Sequence, residues 1–358
     1  MTEKKLQIQF PIITTYPQQT NVISITSPHE EFYPWFHSNM IQLKCSPLVD
    51  QLHLLIYPDN IQRVCPLLEY QALTRRSLEK WFPDIVGFVM KCVDDDLFFH
   101  ATVNSYYISS YLNFYNSFHR FHEILIFGYN AELEILYAAD FFNFGKYEFR
   151  EIPFAEFEMA YKSVDIQNDG AFGFNPNRST NLNFHLGEIE LLRYKPRSHL
   201  HKKEPYQLDL ENITDLMGDY LQSSNTSRKY TVFENASEAI YGLQTYDYLI
   251  THTEEAFSGE SSFMDKRSFH ILFEHKKCMS LRFKYLSAAQ PSLGPLEQYL
   301  AKLGEIQKLS EVLRNLSVKF VISEDRQIAG KMTSVLKQMA AAEEAVLNAI
   351  YEDLSKKA

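Results

Sequence analysis

Residues 121–142 read FHEILIFGYNAELEILYAADFF. Two apolar runs, EILIFGY and LEILYAADFF, flank Asn130-Ala131-Glu132, and the stretch predicts an antiparallel hairpin. Centring the turn on Ala131 sets Gly128 opposite Glu134, Ile126 opposite Leu136, Ile124 opposite Ala138 and His122 opposite Asp140. Directly opposed residues share a face, with Cβ atoms roughly 4.5–5.5 Å apart. An aspartate there reaches one imidazole nitrogen and leaves the other free, the base-plus-orienter half of a catalytic triad. A slip of one residue sends the two side chains to opposite faces. The competing reading is that His122 and Asp140 merely end two apolar strands in solvent.

Working outward, LFFHATVNSYYI (97–108) and YEFREI (147–152) predict further strands, and PFAEFEMAY (153–161) a closing helix. Residues 1–27 alternate apolar and polar (LQIQF, NVISI) and predict one or two short strands. From Pro34 to about Lys91, apolar residues recur at three and four positions in SNMIQLKCSPLVDQLHLLIY and LEYQALTRRSLEKWFPDIVGFVMKCV, predicting helices until Asp94-Asp95-Asp96. Helices followed by an antiparallel meander argue for the α+β class. Residues 163–205 are polar and punctuated by Gly170, Gly173, Pro176, Pro196 and Pro205, with one strand candidate, HLGEIELLRY. The expected division is an α+β domain at 1–165, a linker at 166–205 and a helical bundle at 206–358. In the last part Leu296, Leu300, Leu303 and Ile306 form one stripe, and Met332, Val335, Leu336, Met339, Val346, Leu347, Ile350 and Leu354 another, with Ser323 as the N-cap between them. Stripes at this spacing read as core.

The chain has 358 residues, long enough for two domains, and its formal charge of −10 argues against a nucleic-acid partner. Its basic clusters, His199–Lys203 and Glu274–Lys277, are small docking spots or solvated faces. The opening MTEKKLQIQFPIITTYP lacks a signal-peptide pattern, and no apolar run has the length of a membrane span. Cys45, Cys65, Cys92 and Cys278 show no CxxC spacing, so neither zinc nor a disulfide framework is expected. Phosphate-binding glycine loops and a GxSxG elbow are absent from the sequence. A reduced, cytoplasmic protein without a cofactor or bound metal is the simplest expectation.

A His–Asp pair needs a third member. For a metal, His119 and the Asp94–Asp96 run are the nearest candidates, but HEILI lacks the second histidine of HExxH. A nucleophile is best placed at a helix start, where the dipole lowers a thiol pKa and N–H groups hold an oxyanion. YPWFHSNMIQLKC offers Ser38 there, beside His37, with Cys45 further along; Cys65 precedes Pro66, and Cys92 sits in an apolar run as packing.

The stretch from Asp94 to Tyr161, with FHATVNSYYI, Tyr115, FHEILIFGYN, AADFF and GKYEFREIPFAEFEMAY, resembles the papain-like, C39-peptidase-related proteins typified by butirosin biosynthesis protein H. YGLQTYDYL (241–249), MDKRSFHILFEHKK (264–277) and the two terminal helices resemble the helical companion region of such proteins. The resemblance implies a papain-like fold in the first half and a place in antibiotic or nonribosomal-peptide gene clusters. It also implies a cysteine nucleophile near the N-terminus, a histidine opening a central strand, and an acid on the next strand. His122 matches the histidine and Asp140 the acid. At the nucleophile the chain departs, showing Trp35-Phe36-His37-Ser38-Asn39 with no thiol before Cys45, so Ser38, Cys45 or neither fills that place.

The expected function is an accessory protein of antibiotic assembly with an acyl-transfer site, fed by a carrier-protein thioester or a peptide. The alternatives are a pseudoenzyme that binds a carrier protein, synthetase or intermediate, and a peptidase. The partners implied are a carrier protein or peptide synthetase and a small-molecule or peptidyl substrate, with a homodimer as an option.

Overall fold

The computed structural model describes residues 2–48, 51–58, 60–164, 188–196, 204–230, 239–260, 264–294 and 296–356. Two units divide the chain, one of Met1–Glu30 with Ile61–Pro205 and one of Glu31–Asn60 with Tyr206–Ala358. The coarse class is mixed α and β, with antiparallel sheets and a helical C-terminal region.

The first unit contains β1 (Glu3–Lys5), α1 (Pro17–Thr26), α3 (Ile61–Val64), β4 (Leu68–Thr74), α4 (Arg75–Trp81) and α5 (Ile85–Asp94). It continues with β5 (Phe98–Asn104), β6 (Phe121–Asn130), β7 (Ile135–Asn143), β8 (Lys146–Pro153), α6 (Phe154–Lys162) and β9 (Glu188–Tyr194). Its seven-stranded sheet runs β4-β9-β5-β6-β7-β8, and β1 pairs with β6 beside the hairpin loop. Period-two alternation sorts the side chains. Phe99, Ala101, Val103, Ile124, Ile126 and Ala138 share one core with residues of α5 and α6, such as Val89 and Phe157. Phe98, Leu125, Phe127 and Ala139 form another with Ile25 of α1. Fully burying one such Ile or Phe contributes about 1.5–3 kcal/mol. Local signals start the helices: Thr74 and Asp84 accept the N–H of Ser77 and Gly87 as N-caps of α4 and α5.

Buried Arg75 ties this core to its helices. Its guanidinium donates to the carbonyl of Tyr161 near the end of α6 (2.9 Å) and to that of Thr102, and it stacks on the Tyr161 ring at 3.9 Å. A cation there meets the carbonyl end of the helix, where it is stabilising.

The second unit contains α2 (Phe32–Asn39), β2 (Gln42–Leu48), β3 (Gln51–Tyr57), β10 (Ile240–Tyr241) and long helices at Leu210–Leu221, Thr245–Ser258, Lys266–Ala289, Glu297–Ser323 and Arg326–Ser355. The strands form a three-stranded sheet in the order β10-β2-β3. Met332, Leu336, Met339, Val346, Leu347, Ile350 and Leu354 are buried, as the stripe predicts, and Val335 is half-buried. Among these helices lies a buried ion pair, Lys276 Nζ to Glu343 Oε2 at 2.6 Å. Tyr220 and Tyr246 hydroxyls donate to the same oxygen at 3.1 and 2.7 Å. Arg282, also buried, donates from Nε to the carbonyl of His37 (2.7 Å) and from Nη2 to that of Met40, closing α2.

Several expectations differ from these elements. The helical unit takes in residues 31–60, so the division is discontinuous and not the contiguous cut at 165 and 206. The strand candidate HLGEIELLRY does form a strand, Glu188–Tyr194, but it lies inside the sheet between β4 and β5 and not in a linker, with Ile189 and Leu191 on one face and Leu192 on the other. The remaining linker residues 165–187 and 197–203 lie outside the described residues. NVISI belongs to α1, not to a strand. Helix α1 is buried almost all round, from Gln19 to Thr26, so it lacks the one-sided period that marks a surface helix. SNMIQLKCSPLVDQLHLLIY is largely the β2–β3 hairpin, in which Leu43 pairs with Ile56 and Cys45 with Leu54, all four buried. Asp325, not Ser323, caps the last helix and accepts the Gln327 N–H at 3.0 Å, and Ser323 ends the helix before it.

Candidate functional site

His122 stands at the start of β6 and Asp140 toward the end of β7. The hairpin forms, in a register other than the one centred on Ala131. Beside the loop at 131–134, Asn130 faces Ile135 and Gly128 faces Tyr137. Continued unbroken, that ladder would set Leu125 opposite Asp140 and leave His122 on the other face of the sheet. A bulge at Phe127 absorbs one residue, so that Ile126 faces Ala138 and Leu125 faces Ala139. Carried to the strand end, this register makes His122 the diagonal neighbour of Asp140 on a shared face. Diagonal neighbours lie within reach of long side chains. The four-residue loop and the bulge compensate each other in parity, and the pair meets: His122 Nδ1 lies 2.7 Å from Asp140 Oδ2.

Asp140 is fully buried, while the His122 side chain keeps 18% of its surface exposed. The Tyr111 hydroxyl donates to the same Oδ2. The other oxygen, Oδ1, is buried and has no hydrogen-bond partner among the described residues. Burial alone pulls the His122 pKa down, but the charge and hydrogen bond of Asp140 outweigh it and hold the imidazole above its ordinary 6.5. Burial and the same carboxylate push the Tyr111 phenol well up, so it serves as a donor. With Nδ1 engaged by a carboxylate, the imidazole tautomer is set, and Nε2 is the nitrogen able to take a proton from a reacting group. No hydrogen-bond partner holds Nε2 among the described residues.

The other candidates are occupied elsewhere. Ser38 and Cys45 belong to the second unit, whereas His122 and Asp140 belong to the first. The Ser38 hydroxyl is buried and accepts the Asp209 N–H at 2.9 Å. Cys45 is a buried β2 residue whose thiol burial pushes up to about 12. Burial does the same to Cys65, Cys92 and Cys278, each to about 12, so a thiolate is disfavoured at all four. His119 is stacked on Tyr106 at 4.1 Å and hydrogen-bonded to Asn104 at 2.9 Å. Asp94 accepts from the Tyr129 hydroxyl at 2.7 Å, and Asp96 pairs with Lys4 at 2.7 Å. Among the described residues, no cluster of three or more His, Cys, Asp or Glu is arranged to hold a metal ion.

A second histidine–carboxylate pair escaped sequence reasoning. His100 Nδ1 meets Glu190 Oε2 at 2.7 Å on β5 and β9, directly opposed and both buried. Gln62 and the Tyr70 hydroxyl donate to Glu190 Oε1, each at 3.2 Å. Burial lowers the His100 pKa, and Glu190, Glu123 and Asp140 together raise it above 6.5. The alternation in FFHATVN places His100 on the face opposite Phe99, but nothing in the sequence pairs that strand with one 90 residues away.

No protein-family model matches the chain, and no curated protein matches it either. No helix among the described residues is long and apolar enough to cross a membrane.

Proposed function

We propose that the chain is an accessory acyl-transfer protein of antibiotic or nonribosomal-peptide assembly, on a papain-like framework, with His122 as general base and Asp140 as its orienter. The observation that carries the reading is the 2.7 Å contact between His122 Nδ1 and the buried Asp140 Oδ2. The acyl donor is a carrier-protein thioester or a peptide, as the sequence resemblance implies. His122 Nε2 takes the proton from an acceptor amine or hydroxyl as that group attacks the acyl carbonyl. Collapse of the tetrahedral intermediate expels the carrier thiolate, which recovers the proton from the imidazolium. Attack by the acceptor itself is favoured over an acyl-enzyme, because all four cysteines are buried and their thiols held near 12.

Incubation with acyl-carrier thioesters and small amine acceptors, followed by intact mass, tests the reading. Expected are free carrier thiol and acylated acceptor, with no adduct on the protein. Turnover that persists at an unchanged rate in His122→Ala sinks it. A second reading, a pseudoenzyme that binds a carrier protein or synthetase, draws on the same buried thiols and the engaged Ser38 hydroxyl. It predicts carrier binding that survives His122→Ala, with no turnover in either protein.

A further inference from the structure

An ionised carboxylate has two oxygens and about four lone-pair sites over which to spread its donors. Asp140 does not spread them: His122 Nδ1 and the Tyr111 hydroxyl converge on Oδ2, while Oδ1 is buried and bare among the described residues. The buried Tyr111 ring packs on Phe142, with centroids 4.8 Å apart, and stands edge-on to the His122 ring at 6.3 Å.

Tyr111 is carried by the Ser105–Arg120 segment, whose two ends meet. The Ser105 N–H and hydroxyl both donate to the Arg120 carbonyl, at 2.8 and 2.7 Å. Asn104 and His119 close the next layer at 2.9 Å. Ser109 fastens the segment to α6, its N–H and hydroxyl donating to Glu156 Oε2 at 2.8 and 2.9 Å. Compact loops with closed ends of this kind frequently serve function.

We infer that Tyr111 is a positioning residue for the His122–Asp140 pair, its hydroxyl fixing which Asp140 oxygen meets the imidazole, and that the Ser105–Arg120 loop holds that hydroxyl in place. Two donors on one oxygen divide its charge, so the phenol governs how strongly Asp140 acts on His122. The charged groups acting on His122 are Asp140 from β7, Arg120 at the loop end and Glu123 on β6, with Tyr111 as the neutral donor. Arg120 and Glu123 act in opposite senses.

The inference deepens the general-base reading and rests on it for its meaning, but its test needs no turnover. Histidine-labelled full-length chain is titrated by NMR as wild type, Tyr111→Phe and Glu156→Ala. Tyr111→Phe keeps the ring and removes the competing donor, so the His122 midpoint moves up by about 0.5–1 unit. Glu156→Ala releases Ser109 without touching the pair and moves the midpoint the same way by less. An unchanged or lowered midpoint in folded Tyr111→Phe overturns the positioning role. A shift there with none in Glu156→Ala overturns the part assigned to the loop. Should Tyr111→Phe fail to fold, Glu156→Ala decides, and no shift overturns the inference. A protein without acyl-transfer activity whose midpoint moves as stated removes the general-base reading and leaves the positioning role intact.

Discussion

At the scale of single residues, Asp140 determines what His122 can do. Its charge opposes the burial that would otherwise depress the imidazole. In Asp140→Asn burial loses its main opponent, and the His122 midpoint falls below 6.5. The amide also ceases to select the tautomer, so kcat/KM for acyl transfer drops by about 10²–10⁴. A pH–rate profile checks both effects: the acid limb of the wild type lies above 6.5, because the base must be neutral to act, and that limb moves down in the variant.

His37 titrates with the opposite sign. Burial, aided by the Arg282 charge, pulls it down to about 3, and its Nδ1 is buried without a partner among the described residues. A histidine depressed in the folded state stabilises above its unfolded value of about 6.5 and loses that stability as pH falls toward 3. Between pH 6.5 and 5 the loss is about 2 kcal/mol. His37→Phe keeps the stacking on Tyr285, and its denaturation midpoint falls less over this range. His122 and His100, both raised, behave the other way, stabilising below 6.5 and losing that contribution as pH rises through their folded values.

At the scale of elements, the hairpin shows what sequence can disclose. A turn centred on Ala131 is wrong by two residues at the Ile126 position, yet a shift of two preserves the face. His122 and Asp140 were therefore legible as a pair although their register was not. The bulge at Phe127 was not legible from the hairpin, and neither was the pairing of β1 with β6 at Gly128, made by residues 3–5. Gly128 marks how closely β1 approaches: a Cβ there would lie 2.5 Å from the Lys4 carbonyl oxygen and 3.0 Å from Lys5 Cα. In Gly128→Ala backbone must move, since neither atom belongs to a flexible side chain. The expected cost is about 1–3 kcal/mol, with β1 freed from β6 and its residues open to limited proteolysis. The β2–β3 hairpin and α1 differ from the elements their spacing predicts for one physical reason. A short segment buried on several sides carries no clean period, and spacings of two, three and four then coexist.

At the scale of the whole molecule, the chain passes from one unit to the other at 30/31, 60/61 and 205/206. Composition alone could not reveal this, because the polar stretch after residue 163 is a far louder boundary than either of the first two crossings. A fragment of residues 1–165 therefore carries α2, β2 and β3 without the helices that cover them, and lacks β9 from the middle of its sheet. It is expected to aggregate. Joining Glu30 to Ile61 by a short Gly/Ser linker and ending at Pro205 removes the first defect and retains β9. That protein is expected to melt cooperatively and to keep the downfield Nδ1 proton of His122, as circular dichroism and NMR can verify.

This threading also has a history in time. On the ribosome the β2–β3 hairpin, with buried Leu43, Leu54 and Ile56, emerges long before the Lys266–Ala289 helix that packs on β3. At synthesis rates of about 5–20 residues per second, its apolar face waits for roughly 10–40 s. Helix α1 waits about half as long, roughly 5–25 s, for β6 and β7. Until the distal helices are made, the apolar face of the β2–β3 hairpin is open to association with other chains.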